Sequence, residues 1–363
     1  MTFQTPKYMQ LKDELLSWIA SGRYRPGDKL PSENELAEQY SLSRQTVRQS
    51  IGELVQEGWL VREQGKGTFV GRQSPGRRAA SGNRTVGIIT TSISDYIFPS
   101  IVRGVEAALK DKGYRLLLSS TDHRKDRERE CLEMMLGHSV CGLIVEPTKS
   151  AEGNPNFDLY MTIEEHGVPM LTINARYPDL DCTSVRMDDE AGGFMAADHL
   201  LGLGHTKIAG FFKTDDMQGV GRMKGFIRAC RDRQLRGEAL TVRYSTEDKE
   251  ERPQRMLREM LQSDQPPTGI VCYNDQLAVS LLDTVRELGL RVPEDLSIIG
   301  YDDSFLATAT EIKLTTIEHP KSGLGERAAN LLISQMEKGE LPSKKDALYA
   351  PKLVVRQSTA EKR

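Results

Sequence analysis

Two sets of side chains in this 363-residue chain have types and spacings that could do chemistry. The first is Ser43-Arg44-Gln45-Thr46-Val47-Arg48, which opens a helical pattern and contains no acid. Two arginines and a glutamine on one exposed turn can fork onto guanine and adenine edges or onto phosphate oxygens. The second set is spread along the chain at the ends of short apolar runs. Tyr96 and Phe98, Glu146 and Lys149, Asn174 and Arg176, Asn274-Asp275 and Asp302-Asp303 each follow such a run, and Arg222 stands at the start of a helical segment. Carboxylates, amides and arginines beside aromatic rings suit a polyhydroxylated ligand. Its hydroxyls need paired donors and acceptors, and its C–H faces stack on rings. A lone polar residue in such a place can equally be a loop or cap residue; Asn274 could simply cap the helix after Tyr273.

The elements that must carry the first set fit a small α+β head, residues 1–71. Tyr8, Leu11, Leu15 and Ile19 fall at helical spacing, and Gly22 is a stop. Ser32-Glu33-Asn34-Glu35 reads as a capping box for a second short helix. Ser43 can cap a third, whose inner face is Val47, Ile51, Leu54 and Val55. Two strand-like runs, Trp59-Leu60-Val61 and Thr68-Phe69-Val70, are joined through Gln64-Gly65-Lys66-Gly67. Three helices and a two-stranded wing form a winged helix-turn-helix, whose third helix enters the major groove. The head has equal numbers of basic and acidic residues, so a nucleic-acid site must be a local patch. Residues 72–84 carry four arginines, Pro and Gly and no acid, the composition of a flexible connector.

From residue 85 to 363, all-apolar strand runs alternate with helical patterns, starting with Thr85-Val86-Gly87-Ile88-Ile89-Thr90. Alternating β and α elements argue for parallel sheets covered by helices on both faces, a doubly wound α/β body. Ligands in such sheets sit beyond the carboxyl ends of the strands, where the second set lies.

Both parts resemble known families. Leu30-Pro31-Ser32-Glu33-Asn34-Glu35-Leu36-Ala37, Ser43-Arg44-Gln45-Thr46-Val47-Arg48 and Gln64-Gly65-Lys66-Gly67-Thr68-Phe69-Val70 are similar to the DNA-binding head of the gluconate-repressor (GntR) family. The resemblance implies that Arg44 and Arg48 are the main base or phosphate contacts. Ser43, Gln45 and the wing tip Gln64, Gly65, Lys66 and Gly67 would assist, and Lys7 would meet a phosphate. Leu203-Gly204-His205, Arg222-Met223-Lys224-Gly225-Phe226, Asn274-Asp275-Gln276-Leu277-Ala278, Val292-Pro293-Glu294-Asp295-Leu296-Ser297-Ile298-Ile299-Gly300-Tyr301-Asp302-Asp303 and Leu314-Thr315-Thr316-Ile317 resemble the sugar-responsive core of the lactose-repressor (LacI) family, related to periplasmic ribose-binding proteins. That likeness spans nearly all of residues 85–363. It implies two lobes joined by three crossovers: lobe 1 about 85–187 and 320–349, lobe 2 about 188–319 and 350–363. It also implies an effector between the lobes and a homodimer made through the body. Family effector contacts fall on Glu146, Arg222, Asn274, Asp302 and His319, with Tyr96, Phe98, Lys149 and Arg176 as further contacts. The residue-72–84 linker has no helical pattern, which argues against signalling through an ordered hinge helix.

Together the two resemblances imply a repressor of sugar-utilisation genes, with double-stranded operator DNA and a sugar effector, L-arabinose or a similar sugar, as its partners. The alternatives are another sugar or sugar phosphate, or a sugar-binding protein without a DNA function. Neither a catalytic residue, a metal nor a cofactor is expected, because no GxxxxGK[ST] loop, HExxH, zinc-spaced Cys/His set or GxSxG elbow occurs. His123, His138, His166, His199 and His205 have no ligand spacing and read as caps or surface groups; His319 falls at the expected cleft. The five cysteines make no CxxC pair and read as reduced core residues. A net charge of −3, 38% hydrophobic residues and no apolar N-terminal or spanning run fit a cytoplasmic protein with no membrane partner.

Overall fold

The computed structural model describes residues 6–20, 22–56, 58–63, 65–71, 84–94, 96–235, 239–338 and 346–362. Gln64 and nearly all of the expected connector therefore lie outside the described residues. The chain divides into two compact units, the first Met1–Arg84 with Thr162–Val168 and the second Thr85–Met161 with Pro169–Arg363.

In the head, α1 (Lys7–Ala20), α2 (Glu33–Gln39) and α3 (Arg44–Gln56) precede β1 (Leu60–Glu63) and β2 (Gly67–Val70), which pair antiparallel with Leu60 opposite Val70. The apolar faces read from the sequence meet as one core of Leu11, Leu15, Leu36, Val47, Ile51 and Leu54. The capping box at α2 is formed in both directions. Ser32 Oγ accepts the Glu35 N–H (3.3 Å), and the Glu35 carboxylate accepts the Ser32 N–H (2.7 Å). Those bonds from Ser32 hold the Glu35 carboxyl below its usual pKa. Buried Ser50 on α3 donates to the Tyr8 carbonyl (2.8 Å) and fixes α3 against α1.

The body contains two six-stranded sheets. Its first lobe is built from β3 (Thr85–Thr90), α4 (Phe98–Asp111), β4 (Arg115–Ser120), α5 (Lys125–Gly137), β5 (Gly142–Val145), α6 (Phe157–Glu165), β6 (Met170–Ile173) and β7 (Thr183–Met187). The second lobe follows with α7 (Asp189–Gly202), β8 (Ile208–Lys213), α8 (Met217–Asp232), β9 (Ala239–Tyr244), α9 (Arg252–Leu261), β10 (Gly269–Cys272), α10 (Asp275–Glu287), β11 (Ser297–Asp302), α11 (Leu306–Ala309) and β12 (Thr315–Glu318). The chain then returns to lobe 1 for α12 (Lys321–Lys338) and β13 (Ala347–Tyr349), and ends in lobe 2 with β14 (Lys352–Val354). It thus passes between the lobes three times.

Lobe 1 has strand order β13-β7-β6-β5-β3-β4, all parallel. Lobe 2 has order β14-β12-β11-β10-β8-β9, parallel except for β12 with β14. In each sheet the winding reverses at the first strand, β3 or β8, and open α/β sheets bind ligands at that switch point. Strands such as Gly142–Val145 and Gly269–Cys272 are buried at every residue, as sheets covered on both faces require. Glycines bring α7 and α8 together. A Cβ on Gly193 would lie 2.0 Å from the Arg222 carbonyl oxygen, and one on Gly225 would lie 1.9 Å from that of Glu190. Cys131, Cys141, Cys230 and Cys272 are buried thiols as expected; Cys182 is only partly buried, at the turn into β7. Among the described residues no helix is long and apolar enough to cross a membrane.

Candidate functional site

On the head, Ser43 caps α3, its Oγ accepting the Thr46 N–H at 3.1 Å. That cap starts the helix so that Arg44, Gln45 and Arg48 stand exposed while Val47 faces the core. The Arg48 Nε donates to one oxygen of Glu33 (3.1 Å), and Arg62 donates to the other (2.6 Å). The Glu33 carboxylate therefore gathers α2, α3 and β1. At the wing, Gly65 and Gly67 have φ of 75° and 125°, the left-handed region that favours glycine. Lys66 projects there, its ammonium 3.1 Å from Glu63. Lys7 is exposed at the first residue of α1.

In the body, a cavity of about 340 Å³ lies between the carboxyl ends of the two sheets. Arg222, a buried residue of α8, lines it. Its Nε donates to Asp189 Oδ1 (2.9 Å), its Nη1 to the Tyr273 carbonyl (2.6 Å), and its Nη2 approaches Asp302 Oδ1 at 3.5 Å. The guanidinium lies 3.5 Å from the centre of the Tyr301 ring. Burial raises the Asp189 carboxyl to about 7 against the pull of Arg222.

Tyr96 reaches this group from lobe 1. Its hydroxyl donates to Asp302 Oδ2 (2.6 Å) and accepts the Asp275 N–H (3.1 Å). Burial first, then Asp302 and Asp275, push its pKa well above the usual value, so it remains a donor. On the lobe 1 wall, buried Glu146 accepts from the Thr91 amide (2.9 Å), the Thr91 hydroxyl (2.8 Å) and Asn174 Nδ2 (2.8 Å). The Oδ1 of Asn174 lies 3.2 Å from His319 Nε2 at the second crossover. Burial lowers His319 to about 4, so the ring is neutral near pH 7.

Two features mark this cleft as built for a ligand. Asp302 Oδ1 and His319 Nδ1 are buried and have no hydrogen-bond partner among the described residues. Such atoms are costly to leave unmade. Tyr96, His123, Lys149, Asn174 and Asp302, all lining residues, have φ between 41° and 95°. Left-handed backbone at non-glycine residues costs about 1–3 kcal/mol each and collects at ligand clamps.

The cations of the cleft are matched by carboxylates. Lys149 pairs with Glu247, Lys213 with Asp215 and Asp216, Arg222 with Asp189 and Asp302, and Lys249 lies near Glu250. Among the described residues, each lysine and arginine that lines the cleft therefore has a carboxylate partner.

Comparisons with known proteins agree with this geometry. Residues 7–70 match the model of bacterial regulatory proteins of the gntR family, and residues 197–359 match a periplasmic binding protein-like domain. The arabinose metabolism transcriptional repressor of Geobacillus stearothermophilus is 52% identical over 359 residues, 98% of each chain. The protein of the same name from Halalkalibacterium halodurans is 46% identical over 366 residues, covering 98% of this chain and 97% of its own. The chain belongs to the family of arabinose metabolism transcriptional repressors. As a member it is a DNA-binding repressor and not an enzyme, with a gntR-type head and a periplasmic-binding-protein-like, sugar-binding body. Among solved structures, a LacI family transcriptional regulator from Enterococcus faecium with bound ribose superposes with a TM-score of 0.67 at 26% identity, over 77% of this chain and all of that one.

Within this repressor fold, Tyr96, Phe98, Glu146, Lys149, Arg222, Asn274, Asp302 and His319 come together around the cleft. Arg176 does not. Its side chain is 52% exposed and pairs with Asp346 at 3.3 Å. Asn274 lines the cleft, and its Oδ1 caps α10 by accepting the Leu277 N–H (2.9 Å). Arg222 does not open its helix; α8 starts earlier, at Met217, capped by Asp216.

Two histidines also differ from expectation. His123 lines the cleft, held to about 4 by burial and then Lys213 and Lys249. His205 is buried between Thr268 and the Ala360 carbonyl. His123, Lys213, Asp216, Tyr244 and Tyr273 lie on the wall unanticipated. All but His123 stand at or just past the ends of β8, β9 and β10, where the strand-end rule, followed through, would have found them. Asp189 gave no signal, since its partner Arg222 is 33 residues away.

Proposed function

We propose that the chain represses arabinose-utilisation genes by holding operator DNA with its head, and that L-arabinose in the cleft releases the DNA. Arg44 and Arg48 read base edges or phosphates, assisted by Ser43 and Gln45. The wing residues Gln64, Gly65, Lys66 and Gly67 and the α1 residue Lys7 take backbone phosphates. In the cleft, Arg222, Asp302, Asn274, Glu146 and His319 bond the sugar's hydroxyls, Tyr96 and Phe98 supply the ring surfaces, and Lys149 stands at the edge.

The observation that carries this reading is a pair of buried cleft atoms without a hydrogen bond among the described residues, His319 Nδ1 and Asp302 Oδ1, the latter met by the Arg222 ion pair at 3.5 Å; a sugar's hydroxyls would satisfy both. The charge matching favours a neutral sugar over a sugar phosphate. The protein acts as a homodimer, so that two heads meet two half-sites, and it works in the cytoplasm, where its DNA is.

A calorimetric titration of the full chain with L-arabinose, D-ribose, D-xylose and arabinose 5-phosphate tests the ligand. Binding of L-arabinose, with at least tenfold weaker binding of the phosphate, supports the reading. Preference for the phosphate overturns it.

A further inference from the structure

Lobe 1 encloses a carboxylate that takes no part in the cleft. Glu128 on α5 is wholly buried. It accepts from the Tyr160 hydroxyl (2.8 Å) and from the Thr148 N–H (2.9 Å), and the Tyr177 hydroxyl lies 2.7 Å from its Oε2. That same hydroxyl is 2.7 Å from the Thr148 carbonyl oxygen and accepts from Lys125 Nζ (2.9 Å). The Thr148 hydroxyl meets that of Thr121 at 2.8 Å. Thr148 is thus held at its amide, its carbonyl and its side chain.

The three residues that follow leave lobe 1 and grip lobe 2. The Lys149 ammonium pairs with Glu247. The Ser150 hydroxyl accepts the Met217 N–H (2.9 Å), and the Ala151 N–H donates to the Asp215 carbonyl (3.1 Å). Lys149 has φ 41°, a conformation that persists only when its surroundings over-determine it. Pro147 just before Thr148, Lys149 itself, and Asp216 beside the lobe 2 anchor points line the cavity.

We propose that residues 147–151 form a strap that latches lobe 1 onto lobe 2 beside the effector. Glu128 is its positioning residue, fixing the strap from inside lobe 1 without touching the sugar. The strap contacts form only when the lobes are together, so they add to effector affinity by favouring the closed form. This inference rests on the cleft being the effector site.

The test uses the full chain and sugar titrations of wild type, Glu247→Gln, Glu128→Gln and the double variant. Sugar binding by the wild type checks the cleft reading by itself; the variants check the strap. Glu247 is 63% exposed on lobe 2, so its substitution leaves the cores intact. Glu247→Gln should raise the sugar dissociation constant about two- to five-fold, the range of a partly exposed ion pair. Glu128→Gln should raise it about tenfold or more, with sugar-free operator binding unchanged. Adding Glu247→Gln to Glu128→Gln should then have no further effect, because a released strap makes no pair to lose. Should Glu128→Gln fail to fold, Tyr177→Phe takes its place. A Glu247→Gln variant with wild-type affinity overturns the latch. A full, multiplicative effect of Glu247→Gln in the Glu128→Gln or Tyr177→Phe background overturns the positioning role, leaving a carboxylate that only stabilises lobe 1.

Discussion

Arg222 is buried by rings above and carboxylates beside it, and that arrangement uses its planar fork. Nε, Nη1 and Nη2 each address a different partner, and the flat face lies on Tyr301. A lysine keeps the charge but offers neither the fork nor the face. Arg222→Lys should lower stability by about 2 kcal/mol and weaken sugar binding at least tenfold; denaturant unfolding and sugar titration measure the two. His319 makes a pH prediction. Burial depresses its folded pKa from 6.5 to about 4, so the unfolded chain takes the proton first as pH falls. The stability it contributes is present above pH 6.5 and is lost as pH falls through about 4. His319→Gln should therefore flatten the loss of stability between pH 6.5 and 4 by about 3 kcal/mol, read by urea unfolding across that range. His123, also held to about 4, keeps its own share of that loss. Asp189, raised to about 7, has the opposite slope: its contribution is full below its unfolded pKa and fades as pH rises to 7, which is why the variant comparison is needed.

The helix pair α7–α8 sets the Asp189–Arg222 bond, and glycines set the helix pair. Gly225→Ala would press a methyl group against the Glu190 carbonyl and the Phe194 amide, so the helices must part. The expected cost is about 1–3 kcal/mol, the range for overpacking, together with weaker sugar binding; thermal unfolding with and without sugar checks both. Elements of this kind explain what was legible beforehand. Strands β5 and β10 are apolar throughout, and β3, β8 and β11 are apolar between their ends, because helices cover both faces, and such runs stand out in a sequence. Strand β7, Thr183–Met187, mixes Ser and Arg with apolar residues, and β13 and β14 are three residues long. Their pairing partners decide them, not their own composition. The site follows the same division. Glu146, Asn274 and Asp302 announce themselves at the ends of apolar strands. Arg176 shares that signature but stands exposed beside Asp346, and Asp189 depends on how closely two helices approach. Distant ion-pair partners and helix spacing are tertiary facts that composition does not carry.

At the scale of the molecule, one chain carries a winged helix with an acid-free recognition turn and a two-lobed body whose sheets present their switch points to a common cleft. A sugar that prefers one lobe arrangement can shift the affinity for DNA only by as much as it discriminates between arrangements. Coupling of about 1–3 kcal/mol, five- to 150-fold in affinity, is the usual size. The most direct measurement is the operator affinity of the full chain at fixed salt, titrated with L-arabinose and, in parallel, with an L-arabinose series on Arg222→Lys. The expected result is operator binding weakened at least fivefold by the sugar in the wild type, with far higher sugar concentrations needed for the variant. An operator affinity that stays constant, or tightens, while calorimetry shows the cleft filled with L-arabinose would contradict it.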